Sequence, residues 1–134
     1  MADEFDYRQN APLEVADIIR VFTSSGIRRP ADDPARIGRM FDNSQLVISA
    51  WRGARLVGVA RSITDWSYCC YLSDLAIERE FQRRGIGREL LRRTREAIGD
   101  EVSLMLLAAP EAASYYGALG FSVIDNGFRI ARRR

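Results

Sequence analysis

The sequence predicts a single α/β domain whose mixed, mostly antiparallel sheet is flanked by helices, in the order βααβββαβαββ. Three observations carry this. Apolar residues recur at helical spacing in three stretches, Val15 to Phe22, Ile37 to Phe41 and Ile86 to Ile98. Between the second and third, extended segments are separated by short turns. No repeat or Pro/Gly/Ser linker divides residues 1–134, a length that buries about two thirds of the unfolded chain's surface without disulfides or metal.

Glu4 to Gln9 reads as a short first strand, and Asn10 as the cap of a helix starting near Pro12 and stopped by Ser24-Ser25-Gly26. Asp33-Pro34 has the pattern of an N-cap and first helical position. Strands follow at Gln45 to Trp51, Arg55 to Ile63 and Ser67 to Ile77, a meander with turns at Gly53 and Thr64-Asp65. Gly85 to Ile98 is an amphipathic helix closed by Gly99, with Glu89 placed four residues before Arg93. Ser103 to Ala109 suits a strand, Pro110 opens a helix through Leu119, and Asn126-Gly127 joins Phe121 to Asp125 with Phe128 to Ala131 as a terminal hairpin.

The chain contains no histidine, which excludes Ser-His-Asp and Cys-His catalysis and removes the commonest metal ligand. Every basic residue is arginine, so there is no lysine for a Walker loop or a Schiff base. No metal site is expected. Adjacent Cys69 and Cys70 point to opposite faces of an extended segment and fit neither a redox pair nor a disulfide framework. The acidic N-terminus has no apolar run, and no segment approaches the length that spans a bilayer, so the expected address is the cytoplasm with no membrane partner. A net charge of +2 calls for no nucleic acid.

Tyr71 to Leu91, YLSDLAIEREFQRRGIGRELL, is the most informative stretch: an apolar strand passes through a charged loop into a glycine-bearing helix start. Glycines at 85 and 87 admit a ligand to the main chain, and the free N–H groups of a first helical turn favour an anion. Arg83, Arg84 and Arg88 add charge beside it. Leu90 occupies the position of a third glycine, so this is not a dinucleotide fingerprint.

Gln82-Arg83-Arg84-Gly85-Ile86-Gly87 resembles the Q/R-x-x-G-x-G/A pyrophosphate motif of the GCN5-related N-acetyltransferases (GNAT). Ala112 to Phe121, AASYYGALGF, is similar to that superfamily's A-x-x-F-Y-x-x-L-G-F segment, and the element order suits it from residue 4 to 132. The resemblance implies acetyl transfer from acetyl-CoA to a primary amine by direct attack. It implies a bulged strand at Leu75, Ala76 and Ile77 that pairs with pantetheine, with the Leu75 N–H as oxyanion donor. Gln82 through Arg88, namely Gln82, Arg83, Arg84, Gly85, Ile86, Gly87 and Arg88, would hold the pyrophosphate. Tyr116 would lie near the sulfur and protonate the departing thiolate. The cofactor-touching asparagine of many relatives has no counterpart at Ala109-Pro110-Glu111, and Tyr71 stands where some carry a catalytic glutamate.

An amine must lose a proton before it attacks. Asp74 and Asp65 are the carboxylates on hand, acting directly or through water. Arg28, Arg29, Trp51, Trp66, Tyr68 and Phe128 are candidates to line the acceptor pocket, which the resemblance puts between the loop joining the first two helices and the C-terminal hairpin. A homodimer through the edge of that hairpin is a further expectation. Two rival readings share these features: an acyl-CoA-binding module without turnover, and an arginine-rich nucleic-acid-binding domain, which the interleaved Glu78, Glu80, Glu89 and Glu96 disfavour.

Overall fold

The computed structural model describes residues 4–134. Its elements are β1 (Asp6–Gln9), α1 (Val15–Ser25), α2 (Pro34–Asp42), β2 (Leu46–Arg52), β3 (Arg55–Thr64), β4 (Cys69–Ile77), α3 (Ile86–Ile98), β5 (Ser103–Leu106) and α4 (Ala113–Ala118). One five-stranded sheet runs β1-β2-β3-β4-β5, antiparallel except for the parallel β4–β5 pair.

Helices cover both faces. Ile18, Val21 and Phe22 of α1 and Ile37 of α2 pack with Val47, Trp51, Leu56 and Val59 on one side. On the other, Ile86, Leu90, Leu91 and Ile98 of α3 pack with Leu46, Ile48, Val57 and Leu72. This two-sided cover explains why β2 and β3 read as continuous apolar runs and not as alternating ones.

Three expectations are corrected. Glu14, not Asn10, is the N-cap of α1. Asn10 instead clamps β2, donating from Nδ2 to the Gln45 carbonyl at 3.1 Å while its Oδ1 accepts from the Val47 N–H at 2.8 Å. The terminal hairpin does not form, so the order ends βααβββαβα: residues 121–134 contain no strand. Residues 126–127 form no turn, the chain merely bending at Asp125; a two-stranded hairpin is marginal until a face of it is buried, and Phe128 and Ile130 are fully exposed. β5 also ends at Leu106, short of Ala109.

Asp33 caps α2 as the sequence indicates, its Oδ1 accepting from the Arg36 N–H at 3.1 Å. Cys69 is exposed and Cys70 buried, on opposite faces.

Candidate active site

The site begins where β4 loses a neighbour. β4 pairs with β5 only from Cys69↔Ser103 to Leu72↔Leu106, so Ser73 to Ile77 have β3 on one side and an open flank on the other. Ser73 is the extra residue of a bulge, because Arg61 faces Asp74 while the adjacent Ser62 faces Leu72. The Glu78 N–H donates to the Val57 carbonyl at 2.8 Å. Strand alternation then aims the main-chain groups of Ala76 at β3 and those of Leu75 and Ile77 at the open flank. Two carbonyls on that flank are already occupied: Arg29 Nη2 donates to Ser73 at 2.5 Å and Gln82 Nε2 to Ile77 at 3.0 Å. The Leu75 and Ile77 N–H groups face that flank with no strand beside them.

Beyond Ile77, a 3₁₀ turn at Arg79–Phe81 carries the chain to α3. Gly85 is the N-cap with φ 82°, a left-handed conformation that costs glycine nothing, and no side chain caps the helix. The first intrahelical donor is the Glu89 N–H, to the Gly85 carbonyl at 3.1 Å, so the N–H groups of Ile86, Gly87 and Arg88 point outward without a helical acceptor. Ser25, Arg79, Gln82 and Arg83 line a cleft of about 380 Å³ beside this turn. Arg79 and Arg83 thus face the cleft, and the three N–H groups at the start of α3 follow them in the chain without a helical acceptor.

Gly87 has a further reason to be glycine: a Cβ there would lie 2.5 Å from the Tyr115 hydroxyl oxygen and 3.4 Å from Ile77 Cδ1. Tyr115 therefore packs on the helix start, while Tyr116 turns to the interior against Phe121, with ring centroids 5.6 Å apart at 78°. Leu75, Ile77 and Tyr116 border the same apolar cluster. Burial pushes the Tyr116 hydroxyl above the ordinary tyrosine value; Tyr115 adds to the rise and the positive Arg29 opposes it. The group stays protonated at neutral pH.

A model of the acetyltransferase (GNAT) domain matches residues 18–131. The chain belongs to the GNAT acetyltransferases. A relative from Prochlorococcus marinus named "Uncharacterized N-acetyltransferase ycf52-like" is 28% identical over 134 residues, covering 95% of this chain and 73% of its own. Another from Pyropia yezoensis, "Uncharacterized N-acetyltransferase ycf52", is 33% identical over 96 residues, 65% of this chain and 53% of that one. Among solved structures, a probable acetyltransferase from methicillin-resistant Staphylococcus aureus superposes with a TM-score of 0.82 at 18% identity, over 96% of this chain and all of its own. The aminoglycoside N-acetyltransferase AAC(6')-Iy in complex with CoA gives 0.71 at 16% identity, over 100% of this chain and 98% of that one. The family is one of N-acetyltransferases, and this member is an enzyme of that class.

The carboxylates of this GNAT site are engaged. Asp74 is 1% exposed. Its Oδ1 accepts from Arg29 Nε at 2.5 Å and its Oδ2 from Arg61 Nε. Arg61 also donates to the hydroxyls of Ser44 and Ser73, at 3.1 and 2.9 Å. The α1–α2 loop is thereby bolted to the bulge of β4. Asp65 is a turn residue: its Oδ1 accepts the N–H groups of Ser67, Tyr68 and Cys69 at 2.9, 2.8 and 3.1 Å, and these bonds hold its carboxyl below the usual value.

Arg29 sits beside the open flank, on Asp74 and the Ser73 carbonyl, while its neighbour Arg28 is exposed and contributes a carbonyl that accepts from Arg29. Trp66 and Tyr68 do not join them, because Tyr68 precedes Asp74 by six residues, about 20 Å along an extended strand. Trp51 is core, its indole donating to the Ser49 hydroxyl at 2.9 Å, and Phe128 stands fully exposed. Sequence reasoning missed Glu78. This 2% exposed carboxylate follows β4, and Arg20 and Arg55 bind it at 2.9 to 3.0 Å. The signal available was a glutamate directly after an apolar strand with unpaired arginines elsewhere in the chain. Among the described residues no group of His, Cys, Asp or Glu converges to hold a metal, and no helix is long and apolar enough to cross a membrane.

Proposed function

We propose that the chain passes an acetyl group from acetyl-CoA to the primary amine of an acceptor, without a covalent enzyme intermediate. The observation that carries this is the open flank of β4 ending beside the uncapped start of α3. One face offers strand-like hydrogen bonds to an extended pantetheine arm and the other offers amides and arginines to its diphosphate.

In this reading the amine nitrogen attacks the thioester carbonyl, the Leu75 N–H binds the developing oxyanion, and the C–S bond breaks as Tyr116 gives its proton to sulfur. One main-chain donor so aimed is worth roughly 10² to 10³ in rate. A positioned acid adds roughly 10² to 10⁴, with the lower end apt for a thiolate. The Ile77 N–H pairs with the pantetheine and Gln82 fixes the loop by its bond to the Ile77 carbonyl, whereas Ala76, expected from the sequence to join them, turns its main-chain groups to β3 and is 1% exposed. Arg83, Arg84 and Arg88 surround the diphosphate, and Arg28 and Arg29 border the acceptor. Both Asp74 oxygens are spent on arginines, so Asp74 acts as a positioning residue and the amine's proton leaves to water.

Gly87→Val tests the diphosphate assignment. The added side chain pushes the half-exposed Tyr115 ring aside and crowds the first turn of α3, where the diphosphate is proposed to lie, so acetyl-CoA affinity by titration calorimetry falls at least about tenfold, roughly 1.4 kcal/mol. Unchanged affinity would remove the diphosphate from this helix start. Acetyl-CoA-dependent thiol release across a panel of amines then reports the acceptor.

A further inference from the structure

Each end of the open flank of β4 is closed by a side chain from another part of the chain. At the Ile77 end, Gln82 Nε2 donates to the strand carbonyl at 3.0 Å. At the Ser73 end, Arg29 Nη2 does so at 2.5 Å. One residue further, Leu72 is already paired with Leu106 of β5. A ligand that runs along the flank from α3 towards Ser73 therefore meets a wall made of one guanidinium and the end of β5.

Arg29 is held there more firmly than a surface arginine. Its Nε donates to Asp74 Oδ1 at 2.5 Å and its Nη1 to the Arg28 carbonyl at 2.5 Å, so with the Ser73 bond all three guanidinium nitrogens are engaged. Asp74 does not yield, because its side chain is fully buried and Arg61 holds the other oxygen. The main chain is fixed as well. The Ala31 N–H donates to the Arg29 carbonyl at 2.7 Å across Pro30, a three-residue turn that the proline ring favours, and a residue before proline is confined to extended backbone. Arg29 also lies near enough to Tyr116 for its charge to oppose the rise of that hydroxyl, and Tyr116 and Leu75 border one apolar cluster.

We propose that Arg29 sets the length of the acyl group that the site accepts, admitting acetyl and turning away longer chains such as butyryl. The inference rests on the acetyl-transfer reading above and adds the donor specificity of that same site. With the thioester carbonyl on the Leu75 N–H, the acyl carbons continue along the flank towards Ser73, about 7 Å on in an extended strand. A methyl group stops short of the guanidinium. Further methylenes run into it, and pushing it aside strips a buried carboxylate of one of its two partners. An acyl chain ending in a carboxylate, such as succinyl, gains no compensating attraction, since Asp74 already balances the charge of Arg29.

Titration calorimetry of the full chain with coenzyme A and with its acetyl, butyryl and succinyl esters, without an acceptor, tests this. The native chain binds acetyl-CoA at least about tenfold more tightly than either longer ester, the scale set by excess methylenes in a filled pocket. Arg29→Ser opens the end of the flank and brings butyryl-CoA to within about twofold of acetyl-CoA. The ratio is taken within each variant, so a general change in affinity does not disguise it. Should Arg29→Ser fail to fold by far-ultraviolet dichroism, Arg29→Lys keeps a charge for Asp74 but gives up the fork that reaches Ser73, and narrows the ratio in the same direction. A native chain that binds butyryl-CoA or succinyl-CoA as tightly as acetyl-CoA overturns the proposal, as does a folded variant that keeps the native ratio. Failure to bind coenzyme A itself removes the acetyl-transfer reading and this inference with it, whereas coenzyme A binding without discrimination among the esters removes the role of Arg29 alone.

Discussion

Two buried carboxylates bracket the open flank of β4, and each is clamped by two arginines, yet they are built for different purposes. Asp74 meets one arginine that is itself 8% exposed and a second that comes from the α1–α2 loop, with two serine hydroxyls closing the network. Glu78 meets Arg20 and Arg55, whose side chains are 36% and 49% exposed. The first cluster is an interior bolt between the α1–α2 loop and the bulge of β4. The second is a rim clamp at the point where the chain leaves β4 for the turn before α3. Equal charge counts thus carry unequal energies, since an ion pair's worth depends on how much water its partners keep.

The most direct way to break this comparison is to remove the two charges in turn. Asp74→Asn leaves Arg61 buried without its counter-charge and should lower stability by about 3 kcal/mol in denaturant titration. The alkaline limb of its pH–rate profile should stay in place; a moved limb would return Asp74 to the role of general base. Tyr116→Phe sharpens the functional side of the contrast, because Tyr116 feels the charge of Arg29 from the Asp74 cluster. Turnover at saturating acetyl-CoA should drop about 10² while calorimetric affinity holds, and full turnover would give the proton to water. Glu78→Gln should cost less than Asp74→Asn, about 1 to 2 kcal/mol, as the freed arginines recover hydration. Equal losses in the two variants would erase the distinction drawn above.

The smallest expected effect is acidic. Burial alone would raise the Glu78 carboxyl, but Arg55 and Arg20 outweigh it and hold the group below its usual value. A depressed folded-state value stabilises fully above the unfolded one, near 4.5, and the gain disappears as pH falls through the folded value. The stability advantage of the native chain over Glu78→Gln should therefore be constant above about pH 5.5 and shrink below about pH 4. A constant difference down to pH 3 would deny the clamp its charge.

Much of the site is local and therefore legible. Gly85 and Gly87 announce an uncapped helix start, and Asp33-Pro34 and the spacing from Ile86 to Ile98 fix their helices by contacts within a few residues. The two cysteines were placed on opposite faces by strand alternation alone. What failed was non-local. Asn10 has the chemistry of a cap, but the carbonyl and amide it satisfies belong to Gln45 and Val47 at the start of β2, 35 and 37 residues away. Trp66 and Tyr68 have the chemistry of a pocket wall, but the length of β4 separates them from Arg29. Asp74 looked like a base until two arginines distant in sequence were seen to occupy it.

The sequence by itself determined the helices, the meander, the glycine-bearing helix start without a side-chain cap and the absence of histidine and lysine chemistry, because each depends on composition or on neighbours a few positions apart. Tertiary structure alone decided that β5 stops short and opens β4, which carboxylates are free, and that the terminal segment finds no partner in its own chain. Those outcomes turn on which distant surfaces meet and on how much water their charged groups retain.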